Sequence, residues 1–131
     1  MLQQRTLKNS RGMTLLEIMI VLAIIGSLMA VLIPAVTRGF NKSNIGKTKV
    51  AIGQIVQAIS NYQIDCSKVP ASLENLSKPD PDCQNWGPDP YMKKIPLDAW
   101  GRPFSYEVTG TSYIIKSPGY NGKEINSEDL Q

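Results

Sequence analysis

From Ile18 to Ile33 every position is apolar or small, and three cations, Arg5, Lys8 and Arg11, precede the run. Its length approaches the roughly 20 residues that a helix needs to cross the hydrocarbon of a bilayer. Pro34 follows at once. Proline has no N–H to donate and crowds the preceding turn, but membrane helices tolerate it, so a kink rather than a stop is expected there. Beyond it Ile45, Ile52, Ile55, Val56, Ile59 and Tyr62 recur at spacings of three, four and seven, which puts them on one face of an amphipathic helix. The pattern predicts a single helix from Met13 to about Tyr62, roughly 75 Å long, apolar all round in its first half and one-sided in its second. Gly39, Gly46 and Gly53 recur every seven residues inside it. We read that spacing as close helix packing; the alternative is a helix loose enough to stretch locally.

The pattern changes after Tyr62. Residues 64–96 are rich in proline and polar groups and read as loop and short turns. Within them "PASLENL" suggests a short helix with Ser72 as its N-cap. Phe104, Tyr106 and Val108 then alternate, Thr109-Gly110-Thr111-Ser112 turns the chain, and Tyr113 and Ile115 alternate again, a β-hairpin signal. A hairpin alone is marginal in water, so a small antiparallel sheet packed on the apolar helix face is expected. The class is therefore α+β: a long N-terminal helix packed on a small antiparallel β-sheet.

Composition sharpens this outline in two places. The 131 residues suffice for one domain and an appendage, and the formal charge of +3 equals the contribution of Arg5, Lys8 and Arg11. Without those three the balance is neutral, which argues against a nucleic-acid partner. There is no histidine. Histidine-dependent acid–base and nucleophilic chemistry is thereby excluded, and neither a phosphate-cradling glycine loop nor a recognisable carboxylate pair points to an enzyme. Cys66 and Cys83 both follow the apolar run; an even count there favours a disulfide in an oxidising compartment over two free thiols.

One residue resists the simplest explanation of the front of the chain. A secretory signal would carry an apolar run of about 7 to 15 residues before its cleavage site, and this run is longer. Charge does not orient an ordinary anchor either, because Arg38, Lys42, Lys47 and Lys49 follow the run as Arg5, Lys8 and Arg11 precede it. Glu17 is the discriminating feature. A carboxylate inside a bilayer costs a few kcal/mol and needs a cation. A new amino terminus, made by cutting just before the apolar run, would supply one, and Gly12 gives a protease close access to the backbone at Gly12-Met13.

Arg11-Gly12-Met13-Thr14-Leu15-Leu16-Glu17, leading straight into an apolar helix, resembles the class III signal of type IV prepilins and type II secretion pseudopilins. The resemblance implies that a prepilin peptidase cuts after Gly12 and methylates the amine of Met13. It further implies that Glu17 is the assembly carboxylate, pairing with the terminal amine of a neighbouring subunit. Methionine stands at Met13 where the family usually has phenylalanine. The domains implied are a removed leader at 1–12, a membrane and filament-core helix half at 13–36, and a periplasmic pilin-like domain at 37–131.

Pro96-Leu97-Asp98-Ala99-Trp100-Gly101-Arg102-Pro103-Phe104-Ser105-Tyr106 is similar to a run in the major pseudopilins of type II secretion, and Tyr62, Asp65, Pro70, Asn85-Trp86 and Tyr91 to Pro96 fit the same pattern in order. The resemblance covers Arg11 to about Gly122. It implies a structural subunit, not an enzyme, anchored by one span in the bacterial inner membrane and assembled into a periplasmic filament that drives exoproteins through the outer-membrane secretin. The implied partners are further copies of the chain, the prepilin peptidase, an inner-membrane assembly platform with a cytoplasmic ATPase, minor pseudopilins and the secretin channel. A surface type IV pilin for adhesion or twitching is the alternative; it shares Gly12 and Glu17 but not the Trp100-Gly101 run.

Pseudopilins of this kind bind calcium in their C-terminal loop, here "SPGYNGKEINSEDLQ". The resemblance implies Pro118, Asn121, Glu128 and Asp129 as ligands, with Ser117 and Glu124 as further oxygen donors. Asn121 replaces a usual Asp and the loop is short, which weakens the set, since calcium takes six to eight oxygens and several should be charged. The other reading is a solvated acidic tail.

Processing is testable directly. In a host with the peptidase, the intact mass should correspond to Met13 to Gln131 plus one methyl group, and reductive alkylation should reveal whether Cys66 and Cys83 were paired.

Overall fold

The computed structural model describes residues 12–130. The elements are α1 (Leu15–Cys66), a 3₁₀ turn at Leu73–Leu76, β1 (Ser105–Thr109), β2 (Ser112–Tyr120), β3 (Lys123–Asn126) and a second 3₁₀ turn at Ser127–Leu130. The chain divides into two compact units between Arg38 and Gly39.

In the first unit α1 begins at Leu15, and its helical assignment continues through Pro34. Proline is accommodated rather than terminating the element, as the surrounding helix formers allow. Every residue from Gly12 to Phe40 is exposed. Ile20, Leu28 and Ile33, for instance, retain half or more of their surface. Such a surface cannot be left in water at an acceptable cost, at about 25 cal/mol per Å² of apolar area.

The second unit contains the core. Ile52, Ile55, Ile59 and Tyr62 of α1 are fully buried and meet Leu73 and Leu76 of the first 3₁₀ turn, Phe104, Ile115 of β2 and Ile125 of β3. Burying each isoleucine contributes about 1.5–3 kcal/mol. Ile45 and Val56, on the flanks of that face, are only partly buried. Thr48 and Ala58 are buried too, and the apolar pattern missed them because one is polar and the other small. Among the described residues, nothing beyond the local helix backbone lies within 4 Å of a side-chain carbon placed at Gly39, Gly46 or Gly53, so their seven-residue spacing does not reflect packing between the described elements.

The sheet is antiparallel in the order β1-β2-β3. Thr109 pairs with Ser112, leaving Gly110-Thr111 as a two-residue turn with Gly110 at φ 62°, the hairpin expected from the alternation. The third strand was not anticipated. Tyr120 pairs with Lys123 across Asn121-Gly122, both at positive φ (55° and 76°), which is the type I′ hairpin that Asn-Gly favours. The ladder is irregular between Ser117 and Tyr120, and Gly119 sits there at φ 67°. A side chain at Gly119 would collide with the Lys123 carbonyl, so this bulge requires glycine.

The long connection between α1 and β1 is held by side chains. Ser72 accepts from the Glu74 N–H at 3.3 Å and caps the 3₁₀ turn as its sequence suggests. Cys66 and Cys83 form a disulfide with Cα atoms 5.5 Å apart. Tyr62 donates to the buried Asp80, and Lys68 lies 3.4 Å from the same carboxylate. Tyr91 donates to Asp65 at 2.6 Å and meets both Tyr62 and Trp86 edge-on. Trp86 donates to the Asn75 carbonyl and Tyr106 to the Pro70 carbonyl. The aromatic hydroxyls and indole of the motif residues thus tie α1 and the sheet to loop backbone that would otherwise lack partners.

Two stability predictions come from this unit. Closing a loop of 17 residues' separation should contribute roughly 3 kcal/mol, so C66S/C83S should lower the thermal midpoint by about 10–20 °C in a near-ultraviolet melt. The second concerns pH. The Tyr62 hydroxyl, then the Asp82 N–H, outweigh burial and hold the Asp80 carboxyl below its usual range. Burial pushes Asp98 up, but the Arg102 N–H, the Ser117 hydroxyl, the Trp100 N–H and the Arg102 charge together bring it below its usual range. The unfolded chain therefore takes up these protons first. Stability from both groups is complete above about pH 4 and is lost as pH falls through their depressed folded values. Melting temperature should drop steeply on acidification below about pH 4, and D98N should flatten that drop. An unchanged acid slope in D98N would remove Asp98 from the account.

Candidate functional site

Two places carry the residues singled out by sequence: the start of α1 and the C-terminal hairpin. At the first, Gly12, Met13 and Thr14 precede the helix without regular structure and are exposed, an arrangement open to a peptidase. The leader residues 1–11 lie outside the described residues.

Glu17 occupies the first turn of α1. Its N–H donates to the Thr14 hydroxyl at 3.2 Å, and the Thr14 N–H donates back to Glu17 Oε2 at 3.3 Å. This is a capping box, in which two helix-end donors that lack intrahelical partners are satisfied reciprocally. The signal lies in Thr14-Leu15-Leu16-Glu17, since Thr-x-x-Glu before an apolar run marks a helix start. The negative charge also complements the positive end of the helix dipole. Among the described residues the box engages one of the two carboxylate oxygens. The carboxylate at this position therefore has a local role in the single chain.

The second place disagrees with the ligand set implied for calcium. Asn121 is the first residue of the type I′ turn, at the tip of the β2–β3 hairpin. Glu128 and Asp129 stand in the closing 3₁₀ turn, beyond the far end of β3. Four strand residues separate them, roughly 13 Å of extended chain. Calcium–oxygen distances of 2.3–2.6 Å require donors to converge within about 5 Å of one another, so Asn121 and Asp129 do not share an ion. Asp129 is also engaged already. Its Oδ2 accepts from the Asn126 N–H at 3.1 Å, while Asn126 Oδ1 accepts from the N–H groups of Glu128 and Asp129. Pro118 lies in the irregular stretch between, and Ser117 is buried with its hydroxyl donating to Asp98 at 2.8 Å. No group of three histidine, cysteine, aspartate or glutamate side chains converges among the described residues. The residues implied as calcium ligands are thus spread along the hairpin and the closing turn, and the stretch that holds them includes a third strand.

A different constellation, centred on Asp98, occupies this region. Asp98 Oδ1 accepts from the N–H groups of Trp100 and Arg102, and Oδ2 accepts from the Ser117 hydroxyl. The Arg102 guanidinium lies over the Trp100 ring, with Nε 3.3 Å from Asp98 Oδ2, and donates through its terminal nitrogen to the Gly119 carbonyl. Nε has no aligned hydrogen bond, so its contact with Asp98 is one of charge alone. The sequence placed Asp98 and Trp100-Gly101 within a motif but could not reveal that Ser117 and Gly119, far along the chain, complete it.

These features define the class: a pilin-like chain in which an exposed apolar helix leads into a small sheet domain. Residues 7–33 match the prokaryotic N-terminal methylation motif, and residues 35–130 match type II secretion system protein G. The chain belongs to the type II secretion system protein G family. Its relatives include core protein G of Pseudomonas aeruginosa, 34% identical over 93% of this chain and 92% of that protein. Core protein G of Escherichia coli K12 is 31% identical over 95% and 91%. The fold is similar to the crystal structure of the major pseudopilin from enterohaemorrhagic Escherichia coli, with a TM-score of 0.62 at 21% identity over 72% of this chain and 94% of that one. The surface-pilin alternative loses its footing with the family match across the sheet domain.

Proposed function

We propose that the processed chain is the structural subunit of a periplasmic pseudopilus, and that its polymerisation drives exoproteins through the outer-membrane secretin of a type II secretion system. What carries this reading is the capped Glu17 at the head of a fully exposed apolar helix in a chain of this family. Before assembly the helix half at 13–36 sits in the inner membrane, the one solvent that accepts its surface, with residues 37–131 in the periplasm. After assembly the same surface is covered by neighbouring copies.

Glu17 acts in this scheme as a register device. Its desolvated carboxylate is under-compensated in a lone subunit and gains a full charge partner when the methylated Met13 amine of another copy reaches its free oxygen. The prepilin peptidase makes that amine by cutting after Gly12. An assembly platform with its cytoplasmic ATPase extracts the subunits, and minor pseudopilins and the secretin complete the machine. The work of the cycle is done by these partners; the chain contributes an anchor, a shape and one pairing charge.

Deletion of the gene should empty the culture supernatant of exoproteins while surface pili and twitching persist. Complementation with Glu17→Ala should leave the soluble-domain melt unchanged and fail to restore export. Lost pili with normal export would overturn the reading.

A further inference from the structure

We propose that this chain secures its C-terminal hairpin with a built-in cation, the Arg102 guanidinium, and neither binds nor needs calcium there. The inference concerns the folded sheet domain and does not depend on the secretion role.

Three observations lead to it. The oxygen donors implied for calcium are dispersed between the hairpin tip at Asn121 and the closing turn at Asp129, and Asp129 is held by the Asn126 backbone. The hairpin closes itself with Asn121-Gly122, whose positive φ values give the turn its geometry without an ion. Its bulge is then fastened from outside by Arg102, which reaches the Gly119 carbonyl on one side and the buried Asp98 carboxylate on the other.

The chemistry of that fastening resembles what a divalent ion would do. A backbone carbonyl and a carboxylate oxygen are hard acceptors, and the planar guanidinium serves both, donating to the carbonyl through its terminal nitrogen while its charge faces the carboxylate. Gly119 is immobilised further, because its N–H donates to the Ser117 hydroxyl at 3.2 Å and that hydroxyl donates to Asp98. Ser117 is fully buried and the Asp98 side chain has no exposed surface, so the acceptors that Arg102 serves have little water to replace it. Losing the guanidinium would leave the Asp98 charge short of a partner and free the bulge.

The test uses the processed full chain in detergent micelles, with Trp86 and Trp100 reporting on the sheet domain. Melts followed by tryptophan fluorescence in chelator and in millimolar calcium, the range that fills extracellular calcium modules, should superimpose. Terbium, a calcium surrogate, should show no saturable tryptophan-sensitised emission. R102A should lower the midpoint by about 5 °C or more, and millimolar calcium should not restore it. If R102A does not yield folded protein, R102K keeps the charge but loses the fork, and its midpoint should fall below the parent's while remaining indifferent to calcium. A parent midpoint that rises with calcium, saturable terbium emission, or Arg102 variants as stable as the parent would each overturn the proposal.

Discussion

The buried carboxylate of Asp98 is the interaction on which the sheet domain depends. Its two oxygens accept from Trp100, Arg102 and Ser117, so a single side chain fixes the turn before β1 and the middle of β2. The adjoining residue extends the link to the helix, since the Ala99 N–H donates to the Thr48 hydroxyl at 3.1 Å and Thr48 is fully buried on α1. A desolvated carboxylate must be paired, because removing a partner of such a group typically costs about 3–5 kcal/mol. The run from Pro96 to Tyr106 is therefore structural in its physics. Gly101 turns at φ 79° so that successive N–H groups face inward, Trp100 receives the Arg102 guanidinium, and Tyr106 reaches back to Pro70.

The two units solve opposite problems. The second buries an apolar helix face under a three-stranded sheet and satisfies its polar groups internally, with a disulfide and three tyrosine hydroxyls closing the long connection. The first buries nothing. Its helix is apolar on all sides and carries a carboxylate at its head, a combination that is stable only when another phase or other subunits surround it. The division leaves a self-sufficient domain beside a helix whose surface suits an apolar phase or the apolar faces of other subunits. The capping box at Thr14 and Glu17 fits this economy. It secures the helix start from within the chain.

Local physics made much of this legible. The apolar run, the amphipathic stretch to Tyr62, the capped turn at Leu73 and the first hairpin all announce themselves through periodicity or turn chemistry within a few residues. The family resemblance added a role to Glu17 that periodicity could not. Two further signals are as local as these. Thr14-Leu15-Leu16-Glu17 spelled a capping box, and Asn121-Gly122 spelled a type I′ turn. The second carries more weight, because the stretch from Ser117 to Gln131 reads as an ion-binding loop or a tail until the turn chemistry of Asn121-Gly122 is taken to start a third strand. β3 has only four residues and one buried apolar side chain, Ile125, so its alternation alone is too brief to read.

By itself the sequence determined what nearest neighbours along the chain decide: an anchor helix with a carboxylate at its head, an amphipathic continuation, a hairpin, and a cysteine pair in the soluble part. Only the tertiary structure decided which distant groups meet. The pairing of Cys66 with Cys83, the partnership of Tyr62 with Asp80, and the convergence of Thr48, Asp98, Arg102, Ser117 and Gly119 depend on how helix and sheet stack. The physical reason is that periodicity identifies which face of an element is buried, but not what lies across from it. A buried polar group is satisfied by whatever the fold brings opposite, and at Asp98 that is an arginine close in sequence and a serine from the middle of β2.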